Sequence, residues 1–305
     1  MNNAAMAEAV QKKAKKKFYG NQRLKAKVKP NFPDNLVREY MRITNAYMVI
    51  LNKVVAEKLP AIRRAIDDDR KESMRMDARQ DVMKVIADTM RDIQMEYQRR
   101  ADLYGLQEKI DKLSGMERRR AIKEWKRIVR QTLGIDILED YYKGEFFDHA
   151  LKMWTQQNVD LIKTIQQNTL SNIRNKIEEG YRSGWTHVEI AKEIQDAWND
   201  DKRYAQFVAR DQIAKLNSDI TQAQQRDAGV SEYLWQTSGD QRVRERHAEL
   251  DGKRFSWDDP PVVDLRTGRR GHPGEDYQCR CVSIPIFDIE NLVLPYMPDK
   301  EDLPA

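Results

Sequence analysis

Leu36, Tyr40, Ile43, Tyr47, Ile50 and Val54 recur at alternating steps of four and three residues. That spacing predicts a long helix with one apolar seam. Val82, Ile86, Met90, Ile93 and Tyr97 repeat the pattern in a second helix. Glycine (13) and proline (10) are scarce among the 305 residues, which leaves long stretches free of helix breakers. Pro60 is expected to stop the first seam, and the polar run from Asp67 to Arg75 to separate it from the second. Ser114 and Glu117 have capping-box spacing before a third helix that carries Ile122, Trp125 and Val129 and ends at Gly134. A longer pattern runs from Phe146 to Ile177 through Leu151, Trp154, Leu161, Ile165 and Ile173, with Gly180 closing it. Thr186 and Glu189 form another capping box before Ile190, Ile194 and Trp198, and a last long helix covers Tyr204 to Asp227. These stripes are packing surfaces.

The texture changes at Gly229. Val230 to Thr237 reads as a strand with Tyr233 and Trp235 on one face. A turn at Ser238-Gly239-Asp240 leads to a short helix, Gln241 to Leu250, with Asp240 as its N-cap and Asp251-Gly252 at its end. A hairpin about Thr267-Gly268, a loop at His272-Pro273-Gly274 and a strand from Cys279 to Ile286 complete the region. The expected fold is mainly α, a long helical N-terminal body followed by a small α+β C-terminal module. The expected divisions are a basic flexible arm at 1–30, a long-helix body at 31–228, the module at 229–290 and a C-terminal tail at 291–305.

Charge singles out the arm. Residues 1–30 hold Lys12, Lys13, Lys15, Lys16, Lys17, Arg23, Lys25, Lys27 and Lys29 against one acid, Glu8. The arm therefore carries +8 of a chain total of +5, and the rest is slightly acidic. With little apolar content to bury it is expected to be mobile, and a polyanion such as DNA is its natural partner. A solvated tail that keeps the protein soluble is the other reading. Phe18, Tyr19 and Leu24 are the few anchors it could offer to a surface. No apolar segment follows the basic start as in a signal peptide, and no stretch approaches a membrane span. With two cysteines there is no disulfide framework, and a reducing cytoplasm is expected.

Both cysteines and two of the four histidines crowd into the module as His247, His272, Cys279 and Cys281. Two nitrogens and two sulfurs make a tetrahedral zinc set. In an extended strand Cys279 and Cys281 point to the same side. All four positions of such a site would be filled, leaving no room for a reactive water. The alternative is that the cysteines are small buried hydrophobes and the histidines make ordinary hydrogen bonds. Arg280 is expected to pair with an acid such as Asp251. Arg242, Arg244 and Arg246 could bind phosphate or pair with Glu245, Glu249 and Asp251. P-loop, GxGxxG, GxSxG and HExxH motifs are absent, and no general acid and base can be paired from the sequence.

Gly229 to Thr237 with Trp235, then Asp240-Gln241-Arg242-Val243-Arg244, His247, Leu250-Asp251-Gly252-Lys253 and Phe255, then His272-Pro273 and Cys279-Arg280-Cys281, resemble the Mu F-like phage head morphogenesis family. Gly184-Trp185-Thr186, Ala209-Arg210-Asp211 and Asn217 extend the resemblance upstream. The insert Gly274 to Gln278 is longer than the family's usual link. The resemblance implies a minor head protein of a tailed bacteriophage, a virion component rather than an enzyme. It would be made in the host cytoplasm, act in capsid assembly and meet a portal, scaffold or major capsid protein and packaged DNA. A nuclease or plain DNA-binding protein built on the His/Arg-rich module is the alternative. Some relatives carry a C-terminal ADP-ribosyltransferase or toxin domain. The short stretch after Ile286 is expected to be too short for one.

Overall fold

A computed structural model describes residues 3–18, 22–71, 78–137 and 145–294. The fold is mainly helical and closes in a small α+β module, as the apolar periodicity predicts. In chain order the elements are α1 (Asn3–Lys17), β1 (Arg23–Lys25), α2 (Asp34–Lys71), α3 (Ala78–Tyr104), α4 (Leu106–Leu133), α5 (Glu145–Arg182) and α6 (His187–Asp227). After them come β2 (Glu232–Gln236), α7 (Glu245–Leu250), β3 (Arg254–Ser256), β4 (Val262–Asp264), β5 (Arg269–Arg270) and β6 (Val282–Asp288). Among the described residues no helix is long and apolar enough to cross a membrane.

The chain forms two compact units whose limits do not follow the expected boundaries at 30/31 and 228/229. One unit comprises residues 38–112 and 155–209, and the other residues 1–37, 113–154 and 210–305. Among its described residues the first contains helices and no strand. Its α3 seam is buried at every expected position: Val82, Ile86, Met90, Ile93 and Tyr97. In α2, Tyr40, Ile43, Tyr47 and Val54 are buried, but Leu51 takes the place expected for Ile50. At about 100° per residue Ile50 and Leu51 flank the seam on opposite sides, and the packing of this unit covers Leu51. The Tyr40 hydroxyl donates to Asn158 Oδ1 at 2.8 Å, and Tyr47 meets Tyr97 edge-on at 5.8 Å.

Four expectations about helix limits are corrected. Pro60 lies inside α2. It removes the hydrogen bond to the Ala56 carbonyl, but both residues are exposed, and buried Ile62 and Ile66 hold the helix beyond it. Ser114 and Glu117 lie within α4, because the Glu117 carboxylate pairs with Arg120 at 2.6 Å instead of capping a helix. Gly180 sits in the last turns of α5, where a Cβ would lie 2.5 Å from Ile190; the helix runs on to Arg182. The two helices expected between Thr186 and Asp227 are one, α6. The remainder of the expected Asp67–Arg75 break, the side chains of Tyr19 and Phe146, and residues 295–305 of the expected tail lie outside the described residues.

The second unit is built on an antiparallel sheet of order β1-β6-β2-β3, with β4 and β5 forming a separate hairpin. Central β6 is buried from Val282 to Phe287, and Trp125 of α4 packs on Phe287 with ring centres 5.7 Å apart. The last turns of α6 bind the module: Gln225 donates to the Ser283 carbonyl at 3.3 Å and accepts from Trp257 Nε1 at 3.2 Å. Gly229 follows at φ 75°, and a Cβ there would fall 1.9 Å from the Asn291 carbonyl oxygen, so only glycine fits.

The expected flexible arm contains α1 and β1. Leu24 stands opposite Phe287 in the sheet, and the Ala26 amide donates to the Pro285 carbonyl at 3.0 Å. Ala9, Val10 and Ala14 of α1 are buried. Small side chains carried too little apolar weight to register beside nine cations, yet packed together they make a real face.

Candidate metal centre

Three of the four residues expected to bind a metal meet. His247 Nδ1 lies 3.6 Å from Cys279 Sγ and 3.7 Å from Cys281 Sγ, and all three side chains are buried. The donor atoms lie within 4.8 Å of one another, so the cluster could hold a metal ion. Around a tetrahedral zinc with Zn–S of about 2.3 Å and Zn–N of about 2.0 Å, the sulfur–nitrogen edge is about 3.6 Å. The observed spacing fits that geometry.

Each candidate ligand is placed by a different device. α7 is a single short turn of helix that turns His247 and Leu250 inward. The Asp251-Gly252 turn after it is pinned to β2: Asp251 Oδ1 accepts from the Thr237 amide at 2.7 Å, and the Gly252 amide donates to the Trp235 carbonyl at 2.8 Å. Trp235 packs edge-on against the His247 ring at 5.3 Å. The cysteines lie in the irregular loop before β6, correcting the strand expected to begin at Cys279. The loop is held tightly on α6. A Cβ on Gly274 would meet Ser218 at 3.0 Å. Gln278 adopts φ 55° while its amide donates to Asp211 Oδ1 at 3.1 Å. Within the loop the Gly274 amide donates to Cys279 Sγ at 3.4 Å.

His272 is not part of the cluster. Its Nδ1 is 2.8 Å from the Tyr233 hydroxyl, and its ring packs on Trp257 at 4.7 Å. It also hydrogen-bonds the backbone of Trp257, and burial lowers its pKa. It is a core histidine, which corrects the expected four-ligand set.

Asp276, which the sequence did not single out, takes a supporting place. Its Oδ2 lies 3.2 Å from His247 Nε2, on the side of the ring away from the sulfurs. Arg244 reaches the same oxygen at 2.8 Å, and Arg269 the other at 2.5 Å. A carboxylate behind a ligating imidazole orients the ring and raises its basicity. Although burial opposes their charge, Asp276 is held well below the usual carboxylate range by His247 and Arg269, and His247 is raised to about 9 by Asp276 and Cys279. Cys279 is lowered by its hydrogen bond from Cys281 and by His247, against burial, whereas Cys281 is raised by Cys279 and by burial. The signal for Asp276 was the insert Gly274 to Gln278, whose extra length carries it.

The arginines are used differently from expectation. Arg280 pairs with Asp240 and not Asp251, which is occupied by β2. Asp240 is not the cap of α7; its Oδ1 accepts from the Arg242 amide at 3.1 Å in the preceding turn, and α7 starts at Glu245. Arg246 pairs with Glu249 at 2.7 Å, as expected. Arg242 is exposed at the rim of a cleft of about 280 Å³ that the three ligand residues help to line.

The arm cations fall on two surfaces. Lys12, Lys15 and Lys16 are exposed on α1, Lys13 is half-buried there, and Lys17 donates to the Leu133 carbonyl at 3.2 Å. Arg23 pairs with Glu232 at 2.9 Å and Lys29 donates to the Thr237 carbonyl at 2.7 Å, while Lys25 and Lys27 are exposed. Sequence reading missed a basic groove on α4, lined by Arg119, Lys123, Lys126, Arg127 and Arg130; their recurrence at helical spacing was the available signal.

Residues 171–284, covering the end of α5, all of α6 and the module as far as Ile284, match the family of Phage Mu protein F like proteins. The match covers 114 of the 305 residues, and over them the resemblance read from the motifs is borne out. Over 170 residues the chain is 33% identical to an uncharacterized protein of Haemophilus influenzae, which covers 56% of this chain and 37% of the relative. Over 125 residues it is 27% identical to NAD(+)--arginine ADP-ribosyltransferase EFV of Enterococcus faecalis, covering 38% of this chain and 26% of that protein. The chain thus spans well under half the length of either relative. No solved structure matches it significantly.

Proposed function

We propose that the protein is a minor head protein of a tailed bacteriophage. It is a structural rather than catalytic component that acts in procapsid assembly and contacts the portal, scaffold or major capsid protein. The family match over 171–284 carries this reading, because it coincides with the buried cluster and the elements that position it. The cluster holds zinc, which ties α7 to the Cys279–Cys281 loop and strengthens the module. The α1 and β1 lysines and the α4 groove contact packaged DNA by charge alone. The natural location is the virion, at the head interior or portal vertex. The test is co-expression of the chain with its phage's portal and capsid proteins. Co-purification with portal rings or procapsids is expected, and a folded chain recovered free of both would contradict the reading.

A nuclease is the second reading, favoured by one observation: the three ligand residues, though buried, line an arginine-bearing cleft. Incubating plasmid with metal-free and zinc-loaded protein separates the two. A structural protein leaves the plasmid intact in both arms.

A further inference from the structure

We infer that the metal held by His247, Cys279 and Cys281 keeps one coordination position open to the cleft and takes a phosphate oxygen there. This rests on the zinc reading above and departs from the closed site that four ligands would make.

Three observations carry it. First, among the described residues the protein supplies three ligands and no more. His272 is committed to Tyr233 and Trp257, and Asp276 stands behind His247 on the nitrogen that faces away from the sulfurs. A tetrahedral zinc with three protein ligands carries an exchangeable fourth. Second, all three ligand residues, though buried, line the same cleft of about 280 Å³, which is the side from which a fourth, exogenous ligand would enter. Third, the cleft's charge suits an anion. Arg210, Arg242, Arg244 and Arg280 line it, against the single carboxylate Asp34. Arg244 and Arg280 are fixed by Asp276 and Asp240, whereas Arg210 and Arg242 are exposed and, among the described residues, have no ion pair within 4.0 Å.

Two thiolates cancel the charge of the dication, so the arginines supply the net attraction. Guanidinium groups hold phosphate oxygens through paired N–H donors. Binding is then a ligand exchange: a metal-bound water leaves, a phosphate oxygen takes its place, and no bond within the phosphate changes. The phosphate can come from a nucleic-acid backbone or be free phosphate, and the chemistry at the metal is the same.

The test uses the full chain loaded with cobalt(II), since zinc has no visible spectrum. Thiolate ligation gives a sulfur-to-cobalt charge-transfer band, and the visible ligand-field bands report the fourth ligand. Inorganic phosphate is expected to shift the visible bands and leave the charge-transfer band in place. Arg242→Ala or Arg210→Ala, both at exposed positions, should weaken the phosphate response about tenfold with the charge-transfer band unchanged. A DNA oligonucleotide without terminal phosphates forms the second arm. The same shift at a lower concentration identifies the nucleic-acid backbone as the source, and a response to inorganic phosphate alone identifies free phosphate. A charge-transfer band with visible bands that respond to neither probe would overturn the open position and leave the metal reading standing. A folded chain that shows no charge-transfer band would overturn both.

Discussion

Residues 38–112 and 155–209 bury aliphatic and tyrosine side chains along helical seams, whereas the unit that holds the sheet buries an imidazole, two thiols and a carboxylate together. The seams are redundant. Ile86 and Ile93 each contribute burial in proportion to their size, and each loss is local. The cluster is coupled. Each buried charge is held by its neighbours: His247 by Asp276 and Cys279, Asp276 by His247 and the arginines, and Cys279 by Cys281 and His247. Two units of one chain should therefore respond to substitution in different ways, and several experiments can break or sharpen that contrast.

The largest difference is expected at Asp276. Asp276→Ala leaves the buried His247 and the arginine pair without their carboxylate, at a cost of about 3–5 kcal/mol. Ile86→Val in α3 should cost about 1 kcal/mol. Denaturant unfolding followed by tryptophan fluorescence and by helical circular dichroism measures both. Equal, small effects would show that the polar cluster is not coupled.

A pH series on metal-free protein comes next. His247 is raised to about 9, so its contribution is complete below the unfolded value of about 6.5 and is lost as pH climbs through 9. Cys279 is lowered, so its contribution is complete above the unfolded value of about 8.5 and is lost as pH falls towards its folded value. The two slopes oppose one another where they overlap, so the sheet unit's stability declines as pH climbs through 9 and again as pH falls through the folded value of Cys279. The helical unit has no such pair, and a common pH profile for both units would contradict the assignment.

The smallest effect separates two identical sequence signatures. Thr186 and Glu189 form the reciprocal cap, with the Thr186 amide donating to Glu189 at 2.7 Å and the Glu189 amide donating to Thr186 Oγ1 at 3.3 Å. Thr186→Ala should cost about 1 kcal/mol. Ser114→Ala, inside α4, should cost less than half of that, because no cap is lost. Thermal melts of the two variants decide it, and equal losses would mean that the Ser114 pair also caps.

The same pair shows what the amino-acid sequence could reveal. Periodicity located α2 and α3 because burial repeats along a helix and every turn adds to the signal; all five positions from Val82 to Tyr97 are buried. Helix limits were less legible. Whether Ser114 caps or Pro60 breaks depends on what packs beyond it, and that is tertiary. In the module, the motif placed His247, Cys279 and Cys281 together, but it could not tell a ligand from a core histidine. His272 and His247 have the same chemistry, and only their neighbours distinguish them: Tyr233 and Trp257 around one, the two cysteines beside the other. Asp276 was hidden for the opposite reason: its role comes from the fold of a loop that departs from the family's usual spacing. The arm was read by its charge, and the small apolar face of Ala9, Val10 and Ala14 was outweighed.

The central claim is that a metal completes the polar core of the sheet unit. Its most direct test is elemental analysis of the full chain purified without chelator, alongside Cys281→Ser and His272→Gln. The account predicts one zinc per wild-type chain, retention of zinc in His272→Gln, and its loss in Cys281→Ser with helix content largely kept. Wild-type protein that is folded through residues 229–290 and carries no metal would contradict it, as would loss of zinc on replacing His272.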